Sequence, residues 1–232
     1  MKLDSIIYLI ANSSLFNATE IPVFEALDKE NSLLLYNALT LNHHENLSLF
    51  SDTYTSVYCF DEKDREFLPG MFNSDHSDTF FADTNNKTNF IKKLADKYSN
   101  QHLNNLIIFT NSIGINQSDI LKAFNLLSME DEAIVIGKAK NNGIAFLGFN
   151  SFNKNLFQEI DWDDINYENL LPMVNKHENF IHVMNNYLSI QKLYDFKQLY
   201  VELSKKESLS YCSQQMHEKF THLFIEYKEL LK

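Results

Sequence analysis

Asp161, Asp163 and Asp164 flank Trp162 and form a compact acidic cluster. Carboxylates at that spacing can supply oxygen ligands to a hard cation or a general base to a reaction. The same spacing also suits a solvated turn in which one Asp caps a helix. Asp83 ends a short strand-like run. That position falls at the carboxyl edge of an open α/β sheet, where ligands bind, and is equally served by an ordinary turn residue. The histidines converge less well. His177 and His182, like His217 and His222, are five apart and do not share a helical face as i, i+4 ligands do, and His43 and His44 are adjacent. No G-x-S-x-G, P-loop or H-E-x-x-H pattern occurs, so hydrolase, NTPase and metalloprotease chemistry has no support. The two cysteines, Cys59 in a strand-like run and Cys212 in a helical one, lack zinc spacing and read as buried, reduced thiols.

The elements that must position such residues alternate between β-rich runs and amphipathic stretches, as in β-α-β units around a largely parallel sheet. Strands are expected at Ser5 to Ala11, Thr55 to Phe60, Thr79 to Ala82, Leu106 to Thr110, Ala133 to Gly137 and Ile144 to Phe149. Helices are expected near Asn31 to Asn42, Lys87 to Ser99 and Gln117 to Ser128, the last with Ile120, Leu121, Phe124 and Leu127 on one face. From about Asn175 the apolar residues recur at three and four positions, first Phe180, Met184, Tyr187, Leu188, Tyr194, Leu199 and Leu203, then Met216, Phe220, Leu223, Tyr227 and Leu230. That spacing predicts two long helices, broken in the polar stretch Ser204 to Ser210, over residues 175–232. The pair offers a stripe for a homodimer as well as for internal packing.

The chain has 232 residues, 44% of them hydrophobic, enough for one sizeable core. Its 31 acidic and 20 basic residues leave a net charge of -11, which argues against nucleic acid or an anionic membrane as partner. The apolar run after Lys2 is interrupted by Asp4 and is too short for a secretory signal, and no stretch reaches the length of a membrane helix. A cytoplasmic location is the expectation.

Three blocks carry a resemblance. The run Leu106 to Phe124, the run Ala133-Ile-Val-Ile-Gly-Lys-Ala-Lys-Asn-Asn-Gly-Ile-Ala-Phe-Leu-Gly-Phe149, and Asn155 to Trp162 resemble, in order and spacing, a bacterial family that is nucleotide-diphospho-sugar transferase-like. In that family the segments read G-S-D-x-P-D-L, then E-D-G-G-Y-Y-L-L-G-L, then L-F-x-x-I-x-W. The resemblance implies a three-layer α/β/α fold of the glycosyltransferase-A type with a mostly parallel sheet over residues 1–174. The C-terminal helical extension lies outside it.

The departures bear on function. Asn111 stands where the family's Asp is expected, Ile113 replaces the Pro and Gly114 the second Asp; Lys140 stands for Glu, Asn141 for Asp, Asn142 for Gly and Ile144 for Tyr. Such transferases hold Mg²⁺ or Mn²⁺ on the donor diphosphate through charged oxygens. One unit-charge pair at about 4 Å and an effective dielectric near 20 is worth roughly 4 kcal/mol, so amides in place of acids weaken the site greatly. The loop after the first strand, Asn12 to Pro22, also lacks the glycine and basic residue that receive phosphates in the family, and an anion would meet Glu20 there, although backbone amides and the hydroxyls of Ser13 and Ser14 offer a weak alternative.

The resemblance therefore implies a degenerate relative that binds a nucleotide or nucleotide-sugar, or acts as a scaffold. Candidate contacts are Asn12, Ser13, Asp83, Asn111, Asn141, Asn142 and Gly143, with no metal. One alternative is an active glycosyl- or nucleotidyl-transferase that uses a nucleotide-sugar, with Mg or Mn held through Asp83 or the Asp161, Asp163 and Asp164 cluster; the other is an interaction protein that dimerises through its C-terminal helices.

Overall fold

The computed structural model describes residues 5–49, 53–72, 77–98 and 103–231. Strand β1 (Ser5–Ile10) and strand β4 (Asn104–Phe109) carry apolar side chains on both faces, as strands of a doubly covered sheet do. On β1, Ile7 and Leu9 enter one core while Ile6, Tyr8 and Ile10 enter the other; on β4, Leu106 and Ile108 are divided in the same way from Ile107 and Phe109. Two helical layers are therefore required. Helix α3 (Gln117–Leu127) covers the first face with Ile120, Ala123, Phe124 and Leu127. Helices α2 (Lys87–Tyr98), α4 (Lys154–Glu159) and α5 (Tyr167–Lys176) cover the second.

The remaining elements are α1 (Lys29–Ser48), β2 (Thr55–Asp61), β3 (Ser77–Ala82), β5 (Ser112–Ile113), β6 (Ala133–Ala139), β7 (Ile144–Phe149), β8 (Phe180–Ser189), α6 (Leu193–Leu203) and α7 (Gln214–Glu226). The sheet order is β3-β2-β1-β4-β7-β6-β8-β5. Pairs β1/β2, β1/β4, β2/β3 and β6/β8 are parallel, and pairs β4/β7, β6/β7 and β5/β8 antiparallel. This is the three-layer α/β architecture with a mostly parallel sheet that the sequence predicts, and every expected strand and helix before residue 150 is present. Residue 99, where the second expected helix ends, lies outside the described residues.

Residues 180–189 are the main correction, because they form a strand, β8, parallel to β6 rather than the start of a helix. A bulge explains the misleading period. Between the pairs Gly137↔Met184 and Ala139↔Tyr187, β6 advances two residues and β8 three, with Asn186 at φ 89°. The extra residue puts Met184 and Tyr187 in the same core although they are three apart, a spacing that imitates a helix. The helices begin after β8. Phe196, Leu199 and Leu203 of α6 and Met216, Phe220 and Leu223 of α7 pack on Leu35, Ala38 and Leu39 of α1 as a third core, while Tyr194 is exposed. Cys212 lies in the turn before α7 rather than in a helix, and both it and Cys59 are buried free thiols. Among the described residues, no helix is long and apolar enough to cross a membrane.

Candidate functional site

The ends of β1, β4, β6 and β8 reach one edge of the sheet, and the chain continues from them through Asn12, Asn111, Asn141 and Ser189. The order reverses at β1, whose neighbours are β2 and β4, so Asn12 and Asn111 sit at the topological switch point where open α/β sheets bind ligands. A cleft of about 500 Å³ opens there, lined by those residues and by Ser13, Asn142, Gly143, Asp163 and Asp164. Eight of the ten residues singled out from sequence therefore meet, Asn141 among them. Asp83 and Asp161 do not line it. Asp83 caps a short 3₁₀ turn through Asn85 N (2.9 Å), and Asp161 accepts from Asp163 N (3.1 Å) and Asp164 N (3.4 Å). No Asp of the cluster caps a helix: Asn166 caps α5 by accepting from Asn169 N.

The hairpin joining β6 to β7 presents Asn141 and Gly143. Asn142 has φ 66°, a left-handed conformation Asn tolerates, and a side chain at Gly143 would meet Ser189 Cβ at 2.8 Å, so β8 approaches too closely for any larger residue. Gly114 has φ 98°, a backbone conformation that favours glycine and disfavours Asp there.

The side-chain amides of Asn111 and Asn141 are both held by the end of β8 and the turn into α6. Asn141 Nδ2 donates to Ser189 O (2.6 Å) and to Asp195 Oδ1 (2.8 Å), while its Oδ1 is buried without a partner. Asn111 Nδ2 donates to Ser189 Oγ (3.3 Å) and Ile190 O (3.5 Å), and the backbone carbonyl of Asn111 accepts from Ile190 N (2.7 Å). Asp195, buried at 4% exposure, also accepts from Gln191 N (3.0 Å) and Lys192 N (2.9 Å) at the start of α6. Sequence reasoning misses Asp195 because its segment reads as mid-helix. Lys140 pairs with Glu202 at 2.7 Å.

The turn after β1 holds a second buried acid. Asp64, fully buried, accepts from Ser14 Oγ (2.6 Å), Leu15 N (2.8 Å), Phe16 N (2.8 Å) and Asn17 N (2.9 Å). Successive amides converging on one point make an anion cradle. Here the anion is the chain's own carboxylate, so the hydroxyl of Ser14 and the amides beyond it are engaged. Glu20 is turned to Lys63 at 2.7 Å.

Lys87, at the first turn of α2, is the one basic side chain among the described lining residues. Burial lowers its pKa against the opposing pull of Asp163 and Asp161, and its Nζ is 3.9 Å from Asp163 Oδ1. No residue type marks it in the sequence, since the fold alone carries it to the cleft.

A divalent cation on a donor diphosphate requires several charged oxygens converging on one point. Among the described residues no three His, Cys, Asp or Glu side chains converge in that way. Asn111 and Asn141 turn amide hydrogens to protein acceptors, and Asp163, more than half exposed, lies beside a lysine. The residues present do not fit the metal.

The chain matches no protein-family model and no curated protein. Solved structures match throughout its length. A candidate nucleotide-diphospho-sugar transferase from Desulfovibrio desulfuricans superposes with a TM-score of 0.73 at 16% identity, covering 100% of this chain and 97% of that one. The 4-diphosphocytidyl-2C-methyl-D-erythritol synthase of Anaerococcus prevotii gives 0.52 at 9% identity, over 95% and 96%. Rv0371c of Mycobacterium tuberculosis gives 0.52 at 8%, over 85% and 98%. At these identities the likeness is one of fold, and the fold of this chain is that of the nucleotide-diphospho-sugar transferases.

Proposed function

We propose that the protein binds a ligand of the nucleotide-sugar class in the cleft at the switch point and does not carry out metal-assisted transfer. The observation that carries this reading is the orientation of Asn141. Its amide hydrogens face Ser189 O and Asp195 Oδ1, so a carboxylate at that position would meet two acceptors. The amide is therefore the group this cleft is built around, and the charge that would hold a metal on a diphosphate is absent from that seat. Lys140, paired with Glu202, supports the same reading.

Thermal unfolding with nucleotide-sugars, with and without Mn²⁺, tests it, because saturating ligand raises apparent stability. The expected result is a metal-independent rise in Tm without release of the nucleotide. A rise that requires Mn²⁺, accompanied by turnover, would establish the alternative in which Asp163 and Asp164 supply the charge. One observation favours that second reading: both carboxylates line the cleft beside Lys87.

A further inference from the structure

We infer that the cleft recognises the hydroxyl-bearing glycosyl end of its ligand and that a diphosphate adds nothing to binding. This rests on the binding reading above and narrows it. A phosphate needs donors, and several of the amides that line this cleft already spend theirs on the protein. Four lining amides turn their NH₂ groups inward: Asn111 and Asn141 to the end of β8, Gln191 Nε2 to Ser189 Oγ (3.3 Å) and Asn166 Nδ2 to Asp164 O (3.2 Å). For Asn111 and Gln191 that orientation leaves the side-chain carbonyl oxygen to offer, and Asn141 Oδ1 is buried without a partner, while Asn166 Oδ1 is spent on Asn169 N as the cap of α5. Asp163 and Asp164 add carboxylates, which in their ionised state only accept. The balance of this surface favours a ligand rich in O–H or N–H donors, as a sugar is.

An independent observation closes the usual route for an anion. The turn that continues from Asn12 and Ser13 has the backbone geometry of an anion cradle, but Asp64 occupies it with four hydrogen bonds from Ser14, Leu15, Phe16 and Asn17. A phosphate entering there would have to displace a fully buried carboxylate. Lys87 remains as a single cation, and it faces Asp163.

Titrations of the full chain, followed by Tm and by amide chemical shifts, test this with UDP-glucose, UDP-glucosamine and UDP-mannose, the three free sugars, UDP, uridine and inorganic pyrophosphate. At least one free sugar is expected to bind within about threefold of its UDP ester, with UDP no tighter than uridine and pyrophosphate without saturable effect at about 10 mM. Pyrophosphate binding, or an ester about tenfold tighter than both its free sugar and uridine, overturns the inference and leaves the binding reading standing. Binding by none of the nine probes overturns both. Asp64→Ala sharpens the result: vacating the cradle is expected to create a rise of Tm with inorganic phosphate that the natural chain lacks. Where that variant does not fold, the same phosphate titration of the natural chain decides the point, since a rise there also overturns the inference.

Discussion

Asp64 and Asp195 are both buried acids beside one cleft, and they solve the problem of a buried charge in opposite ways. Asp64 is held by a turn. Three of its four donors are backbone amides that exist whatever the side chains of Leu15, Phe16 and Asn17 are. Asp195 is held partly by a side chain, that of Asn141. In the first case the acid fills a turn whose converging amides suit an anion; in the second it takes a neighbouring side-chain amide together with the backbone at the start of α6. The comparison teaches that the amide at residue 141 and the filled turn after β1 are each tied by internal hydrogen bonds to one buried carboxylate.

The comparison breaks most severely at Asp64. Replacing it with Ala leaves three backbone N–H groups and the Ser14 hydroxyl without an acceptor, and each buried unsatisfied donor costs about 1–3 kcal/mol. Partial rescue by water reduces the sum, so a loss of about 4 kcal/mol in urea unfolding is expected. A loss under about 1 kcal/mol would show that the turn does not depend on this carboxylate.

Asn141→Asp comes next. The new carboxylate would stand near Asp195 Oδ1 and Ser189 O, which the present amide nitrogen meets at 2.8 and 2.6 Å. Two like charges at that range force the pair to share a proton, at a cost of roughly 3 kcal/mol at pH 7. The sign follows from linkage. The pair's folded pKa is raised above its unfolded value, so the variant's deficit is small in acid and widens as pH rises through the raised pKa. Unfolding midpoints between about pH 4 and pH 8 measure it, and the double variant Asn141→Asp, Asp195→Asn is expected to recover most of the loss through a coupling of about 2 kcal/mol. Additive losses in that cycle would mean that Asp195 is not the reason for an amide at residue 141.

How far this can be read from sequence depends on whether the informative contact is local. The strands β1, β2, β4, β6 and β7 are apolar runs with clear ends and are legible as such, whereas Asn12, Asn111, Asn141 and Asn142 are singled out in the sequence by the family resemblance and meet in the folded chain at one sheet edge. Strand β8 is hidden because its bulge shifts the alternation by one residue, giving Met184 and Tyr187 a helical spacing. With β8 misread, Ser189, Gln191 and Asp195 are lost with it. Asp64 lies 50 positions from Ser14, in a stretch of mixed charge with nothing to mark it. Lys87 and Asp163 are likewise far apart in sequence, and their meeting is a property of the folded sheet.

A third buried titratable group sharpens the contrast because, among the described residues, burial and one backbone hydrogen bond rather than a counter-charge govern it. His43 places Nε2 2.8 Å from Ser112 O, beside Asn111, and since a carbonyl only accepts, the ring is a neutral Nε2–H donor. Burial, opposed by that hydrogen bond, lowers its pKa to about 4 from 6.5. Below pH 6.5 the unfolded chain takes up this proton first, so the stability of the neutral form is complete above that value and declines as pH falls toward about 4. The slope expected from one such proton is up to about 1.4 kcal/mol per pH unit, and His43→Gln, which keeps a donor for Ser112 O, should flatten it. An unchanged slope in the variant would assign the acid sensitivity to other groups.

The smallest effect is expected at the exposed end of the same hairpin that carries Asn141. Lys140 meets Glu202 at 2.7 Å, but its own side chain is 42% exposed and Glu202 has a second partner, Lys205, at 2.8 Å. Burial alone would raise the Glu202 pKa; the hydrogen bonds from both lysines outweigh it and the net displacement is downward. Removing one lysine therefore leaves the carboxylate paired, and solvent screens most of what is lost. Lys140→Ala should cost no more than about 0.5 kcal/mol in urea unfolding, well below Asn141→Asp one residue away. If the two variants cost the same, the hairpin is held by its exposed ion pair rather than by Asp195, and the contrast between a buried acid held by a turn and one held by an amide no longer describes this edge of the sheet.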